Sequence, residues 1–140
     1  MHHFAYRNGV MHCEDVSLEA VARELGTPAY VYSDATLRRH YDVLAEAFAN
    51  RNVLIAYAVK ANSNLGVIAT LASMGAGADV VSGGELMKAM EAGVPASRIV
   101  FSGVAKTEDE MKLGLARGIH QFNVESMPEL ERLSRVASGL

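Results

Sequence analysis

The chain has 140 residues, half of them hydrophobic and 21% charged, with 12 glycines, no tryptophan and a net charge of −3, the profile of a soluble globular domain. No window carries the run of like charges that grips a polyanion, so nucleic acid is not an expected partner, and the longest apolar stretches, such as residues 53–59, fall far short of the roughly 20 residues that cross a bilayer. The single Cys13 excludes an internal disulfide and, with no Cys or His cluster elsewhere, a structural zinc site.

The opening residues lack a basic segment followed by an apolar core, so no secretory signal and a cytoplasmic location are expected. Residues 1–28 read as an N-terminal arm, with an extended candidate at 4–6, a turn at Asn8-Gly9, another at 10–13, and a helix from Ser17 to about Leu25. From about Thr27 one plan repeats: a short apolar run, a polar residue at its end, a helix-start signal, an amphipathic stretch and a glycine. This is the rhythm of βα units. The runs 29–32, 53–59, 78–81, 99–101 and 121–124 are enriched in β-branched or aromatic residues and predict buried strands.

Ser82 with Glu85, Thr107 with Glu110 and Ser126 with Glu129 predict helix starts, because side chains three apart can satisfy each other's free backbone donors. Gly75, Gly93 and Gly118 fall where helices should stop, since the left-handed turn that ends a helix strains a residue with a β-carbon. Units of about 20 to 25 residues suit parallel strands joined by helical crossovers. A closed (β/α)8 barrel takes roughly 250 residues, so this chain predicts either an open doubly wound α/β sheet or an incomplete barrel.

In parallel α/β units the functional groups gather at the carboxyl ends of the strands. Those ends carry Lys60 with Asn62, Asp79 with Ser82, Ser102, and Asn123 with Glu125, which would share one rim. Lys60 follows Ala-Tyr-Ala-Val on an interior strand, where an apolar surround would favour the neutral, nucleophilic amine; the alternative is a solvated lysine just past the strand. Asp79 inside Gly-Ala-Asp-Val-Val is either a buried carboxylate that needs a partner, for which Lys60 is the nearest candidate, or a solvated edge residue. Glu85 reads as the capping acid and Glu125 equally as a helix-start charge.

Several patterns carry less. Gly75-Ala-Gly77-Ala-Asp79-Val80 precedes a strand instead of joining strand to helix, so a dinucleotide site is not supported. Ser82-Gly-Gly84 is a weak signal for a phosphate at a helix N-terminus. His2, His3, His12, His40 and His120 show no metal spacing, so no metal ligand is assigned, and the Met87 and Met90 pair reads as core.

The segment Tyr57-Ala-Val-Lys60-Ala-Asn62, followed by Leu65, Leu71, Ala72 and Gly75, resembles the pyridoxal phosphate attachment segment of the fold-type III, alanine racemase-like decarboxylases. In order along the chain, Gly26-Thr-Pro-Ala-Tyr-Val-Tyr32, Gly77-Ala-Asp-Val-Val-Ser-Gly-Gly-Glu-Leu86, Ile99-Val-Phe-Ser-Gly-Val-Ala-Lys-Thr107 and Phe122-Asn-Val-Glu-Ser126 are similar to the N-terminal third of the diaminopimelate decarboxylase branch. The resemblance implies a (β/α)8 TIM-type barrel truncated to about its first half. Residues 53–60 would be the first barrel strand, 29–32 would precede the barrel, and 29–140 would form the N-terminal part of the cofactor-binding barrel. It implies that the arm 1–28 joins a C-terminal β-domain, that Lys60 forms the Schiff base with pyridoxal 5'-phosphate, that Asp79 sits beside the cofactor, and that the full-length protein is a homodimer.

The activity implied is decarboxylation of meso-2,6-diaminopimelate to L-lysine, with the chain inactive alone because the later cofactor and substrate groups of the family are missing. Related enzymes acting on ornithine, arginine or carboxynorspermidine are the nearest alternatives, although the segment from Phe101 to Lys106 favours diaminopimelate. A non-catalytic module that binds the vitamin B6 aldehyde, or a partner protein through an open sheet edge, is the alternative from another class.

Overall fold

The computed structural model describes residues 2–139, which divide into two compact units between Ala49 and Asn50. The first begins with an antiparallel sheet of β1 (Phe4–Arg7), β2 (Val10–Cys13) and β3 (Val16–Ser17), followed by α1 (Leu18–Leu25) and α2 (Asp34–Ala47). Arg7 pairs with Val10 across Asn8-Gly9, and both turn residues have positive φ, 51° and 81°. That is the conformation of the tight hairpin for which Asn-Gly is the preferred sequence. Ser17 caps α1 by accepting from the Ala20 N–H at 3.4 Å.

Residues 29–32, expected as a strand, join neither sheet, and Tyr30 is 91% exposed. Aromatic and β-branched residues favour a pleated surface only where a neighbouring strand completes the ladder, and none does here. The division between units also falls later than residue 28, and the cause is local. Glu14 turns the chain between β2 and β3 with φ +55°, and its Oε1 accepts from the Ser33 hydroxyl at 2.7 Å and the Ala35 N–H at 3.0 Å, fastening the start of α2 to the arm. The Ala35 N–H, then the Ser33 hydroxyl, hold the Glu14 carboxyl below the usual glutamate range. A depressed folded value gives stability that is present above the unfolded value and lost as pH falls through the folded one. Glu14→Gln should therefore unfold at a lower temperature than the unsubstituted chain at neutral pH, and thermal scans should show the gap closing in acid. A gap that persists unchanged through acid would refute the charge link.

The second unit is a parallel sheet of β4 (Ala56–Ala58), β5 (Gly77–Val80), β6 (Ile99–Phe101) and β7 (Gln121–Phe122), in that spatial order, alternating with α3 (Leu65–Ser73), α4 (Gly83–Glu91), α5 (Glu108–Arg117) and α6 (Met127–Ser138). The strands match four of the expected runs: Ile99–Phe101 has the expected bounds, and the first and last strands are shorter than expected. Residues 53–55 lie outside the first, Val59 to Ala61 form a 3-10 turn, and the second is shifted by one residue to Gly77–Val80. Ala78, Val80, Ile99 and Phe101 are buried against Ile68 of α3 and Leu86 and Ala89 of α4, so one parity of the strands makes the core with the helices. The other parity, including Asp79, faces away from it.

Strand order that never reverses, with core contacts on one parity, marks a singly wound sheet, which is the arrangement of a barrel segment and not of a doubly wound sheet. Gly77 permits the close packing at its centre: a Cβ there would stand 2.2 Å from the Arg98 carbonyl oxygen. All three expected helix starts are present, with Ser82, Thr107 and Ser126 as N-caps. Gly118 ends α5 in the left-handed region, and Gly75 and Gly93 follow the ends of α3 and α4 with φ of 95° and 93°. Of the methionine pair, Met90 packs on the core but Met87 is 45% exposed. Among the described residues no helix is long and apolar enough to cross a membrane.

Candidate active site at the strand ends

The carboxyl ends of β4 to β7 bring the expected rim residues together in chain order. β4 stops at Ala58, Val59 turns into the core, and Lys60 is exposed on the turn that follows. The apolar surround expected for Lys60 is absent, because the strand ends two residues before it and the buried position falls to Val59. The turn is held from behind: the Tyr57 hydroxyl donates to the Asn62 carbonyl at 3.2 Å, Asn62 Oδ1 accepts from the Asn64 N–H at 2.9 Å, and Asn64 caps α3 through the Gly66 N–H at 2.8 Å. Asn62 thus shapes the loop that carries Lys60.

Asp79 is the register partner of Ala58 on the next strand and is half-buried. Its partner is not Lys60. The Ser102 hydroxyl, past the end of β6, donates to Asp79 Oδ1 at 2.5 Å; Asn123 Nδ2, past the end of β7, donates to Ser102 Oγ at 2.9 Å; and Gln121 Nε2 donates to Asn123 Oδ1 at 2.7 Å. The Ser102 and Asn123 backbones are fixed as well, since their N–H groups continue the sheet ladder to Val80 and Phe101 at 2.8 Å each.

The N3 acids of the helices do more than cap them. Glu110 completes a capping box with Thr107, and its second oxygen accepts from the Gly83 N–H at 2.8 Å, at the start of the neighbouring α4. The Thr107 and Gly83 N–H groups hold its carboxyl below the usual range. Glu85 and Glu129 each reach one residue beyond their cap, to the N–H groups of Val81 and Glu125. These contacts argue against a phosphate at Ser82-Gly-Gly84, because Gly83 already donates to Glu110 and Glu85 to Ser82 Oγ. Glu125 is exposed and takes part through its backbone.

Lys106, which the strand-end pattern does not single out as a site residue, is 3% exposed and spends three donors: on Glu129 Oε1 at 2.6 Å, the Gly103 carbonyl at 2.6 Å and the Asn123 carbonyl at 2.7 Å. Burial pushes the Glu129 carboxyl up, but the bonds from Lys106 and the Glu125 N–H, with the charges of Lys106 and Arg132, outweigh it and hold the group below the usual range. The local sequence gives little signal for the burial of Lys106, because it follows only the short Gly-Val-Ala stretch and precedes Thr-Glu-Asp-Glu; once buried, it needs an anion. Among the described residues no group of three His, Cys, Asp or Glu side chains could hold a metal ion.

A reachable primary amine beside a strand that carries an anchored carboxylate suits an aldehyde-bearing ligand, which an amine can hold covalently. Residues 34–139 match the family model described as pyridoxal-dependent decarboxylase, pyridoxal binding domain. The chain is 52% identical over its full length to 34% of a diaminopimelate decarboxylase of Vibrio cholerae, and 50% identical over 98% of its length to 33% of one from Pseudomonas aeruginosa. The crystal structure of a diaminopimelate decarboxylase from M. jannaschii in complex with L-lysine superposes on 97% of the chain and 33% of its own, with a TM-score of 0.92 and 37% identity. The chain therefore spans about a third of the length of the curated relatives it matches.

Proposed function

The chain belongs to the family of pyridoxal-dependent decarboxylases, as their pyridoxal-binding domain, and from that premise we propose that it forms the N-terminal third of an enzyme converting meso-2,6-diaminopimelate to L-lysine and carbon dioxide. The observation that carries this reading is Lys60, an exposed amine at the carboxyl end of the first strand of a singly wound sheet, one strand from Asp79. When bound, pyridoxal phosphate supplies the electron sink for the charge left by departing carbon dioxide.

Lys60 Nζ is the group that holds the aldehyde end and shuttles a proton at that nitrogen. Asp79 supplies a fixed negative charge that favours a cationic nitrogen nearby. In the whole protein the arm 1–28 joins a C-terminal β-domain, and the enzyme works in the cytoplasm as a homodimer. The choice of diaminopimelate over ornithine or arginine is supported by the names of the relatives with about half of their aligned residues in common.

Incubation of the chain with pyridoxal phosphate, borohydride reduction and peptide mapping should give one modified peptide, containing Lys60. Equal labelling of a Lys60→Ala chain, or labelling spread over the surface lysines, rejects the site.

A further inference from the structure

We infer that Ser102 is a positioning residue for Asp79, the last link of a one-way hydrogen-bond relay from Gln121 through Asn123 that fixes the carboxylate at the rim. The inference rests on the reading that Lys60 holds the cofactor. The direction of each link follows from donor chemistry. A carboxylate only accepts, so Ser102 must spend its single proton on Asp79. Ser102 Oγ then has only acceptor capacity left, so Asn123 must present its NH2, which turns its carbonyl oxygen toward Gln121 Nε2. No other orientation of the two amides keeps all three bonds.

Placement makes the relay useful. Asp79, Val100 and Gln121 share one register row across β5, β6 and β7, and Ser102 and Asn123 stand two residues further along their own strands. The relay therefore runs along the sheet ends on the parity that faces away from the helices, toward the strand that delivers Lys60. It engages Asp79 through Oδ1, on the strand next to the one that leads into Lys60. Asn123 is itself held by Lys106, which donates to its backbone carbonyl at 2.7 Å, so the middle link of the relay is anchored to a buried group. A carboxylate held by a hydroxyl on one oxygen keeps its negative charge in one place, which strengthens its effect on a neighbouring nitrogen relative to a freely rotating one.

The test measures the affinity of pyridoxal phosphate for Lys60 by borohydride trapping at graded cofactor concentrations and several pH values, with thermal unfolding alongside. Ser102→Ala should weaken trapping about tenfold, the scale of one hydrogen bond to a charged group, and shift the pH at which trapping is half-maximal. Ser102→Thr, which keeps the hydroxyl, should restore both. Asn123→Asp, nearly isosteric, turns a second acceptor on Ser102 and should reproduce the loss, which covers the case of a poorly folded Ser102→Ala. Unchanged trapping and pH profile in both Ser102→Ala and Asn123→Asp, with Lys60 labelled in the unsubstituted chain, overturn the relay alone. Loss of thermal stability in proportion to trapping, unrescued by Ser102→Thr, overturns it in favour of a merely structural role. Absence of Lys60 labelling in the unsubstituted chain overturns the proposed function and the relay with it.

Discussion

Replacing Lys106 by methionine is expected to destabilise the sheet-and-helix unit by about 3–5 kcal/mol, the usual cost of removing one partner from a buried ion pair. Lys106 and Glu129 are 3% and 7% exposed, with nitrogen and oxygen 2.6 Å apart. Methionine fills most of the volume but leaves the Glu129 carboxylate without its cation and the Gly103 and Asn123 carbonyls without their donor. The loss should appear as a lower denaturant midpoint with an unchanged slope. A Lys106→Met, Glu129→Leu double variant should lose less than the sum of the single changes, because an apolar pair restores consistency where a lone charge cannot.

The same pair fixes a pH signature. In the unsubstituted chain Glu129 lies below the usual range, so its contribution is present above the unfolded glutamate value and is lost as acid carries pH through the lower folded value. With Lys106 gone, burial is left opposed mainly by the Glu125 N–H, and the carboxyl should rise. A raised folded value destabilises at neutral pH and is relieved as pH falls, so the stability of Lys106→Met relative to the unsubstituted chain should recover in mild acid. A variant within about 0.5 kcal/mol of the parent across this range, the scatter of ordinary surface changes, would show that the pair holds nothing in place.

The rim is legible in the sequence because the apolar runs carry polar residues within or just after them: Lys60 and Ser102 follow their runs, and Asp79 and Asn123 stand inside theirs. Their partners are not. Charge alone points Asp79 at Lys60, whereas register sets Ser102 two residues past Val100, the residue opposite Asp79, and a hydroxyl at that distance satisfies the carboxylate without a cation. Lys106 and Glu129 are 23 residues apart, and only the passage through β7 and into α6 brings them together. The capping pattern gave the helix starts, but at Ser126 it accounted for Glu129 as a local acid and so hid the buried pair. Residues 29–32 failed for the opposite reason: their composition suits a strand, and strand formation depends on a neighbour that the local sequence does not specify.

In a complete decarboxylase whose first third is this chain, Lys60→Ala and Lys60→Arg should each lower turnover of diaminopimelate at least 10²- to 10⁴-fold, the range set by loss of a positioned proton-transfer group. The two variants separate charge from nucleophilicity. Arginine keeps a cation on a long flexible stem, but its guanidinium stays protonated throughout the accessible pH range and cannot attack a carbonyl. If Lys60 served only as a positive charge on an exposed turn, Lys60→Arg would be nearly silent, and its exposure makes that a fair contest. A small primary amine added to the Lys60→Ala enzyme should recover part of the lost rate, since the site would then lack only a nucleophile that solvent can deliver through an open rim. The Lys60→Arg enzyme should not respond, because the guanidinium fills that space. Turnover by Lys60→Arg at the parent rate would remove the covalent role and leave the Asp79 relay without the nitrogen it is arranged to serve.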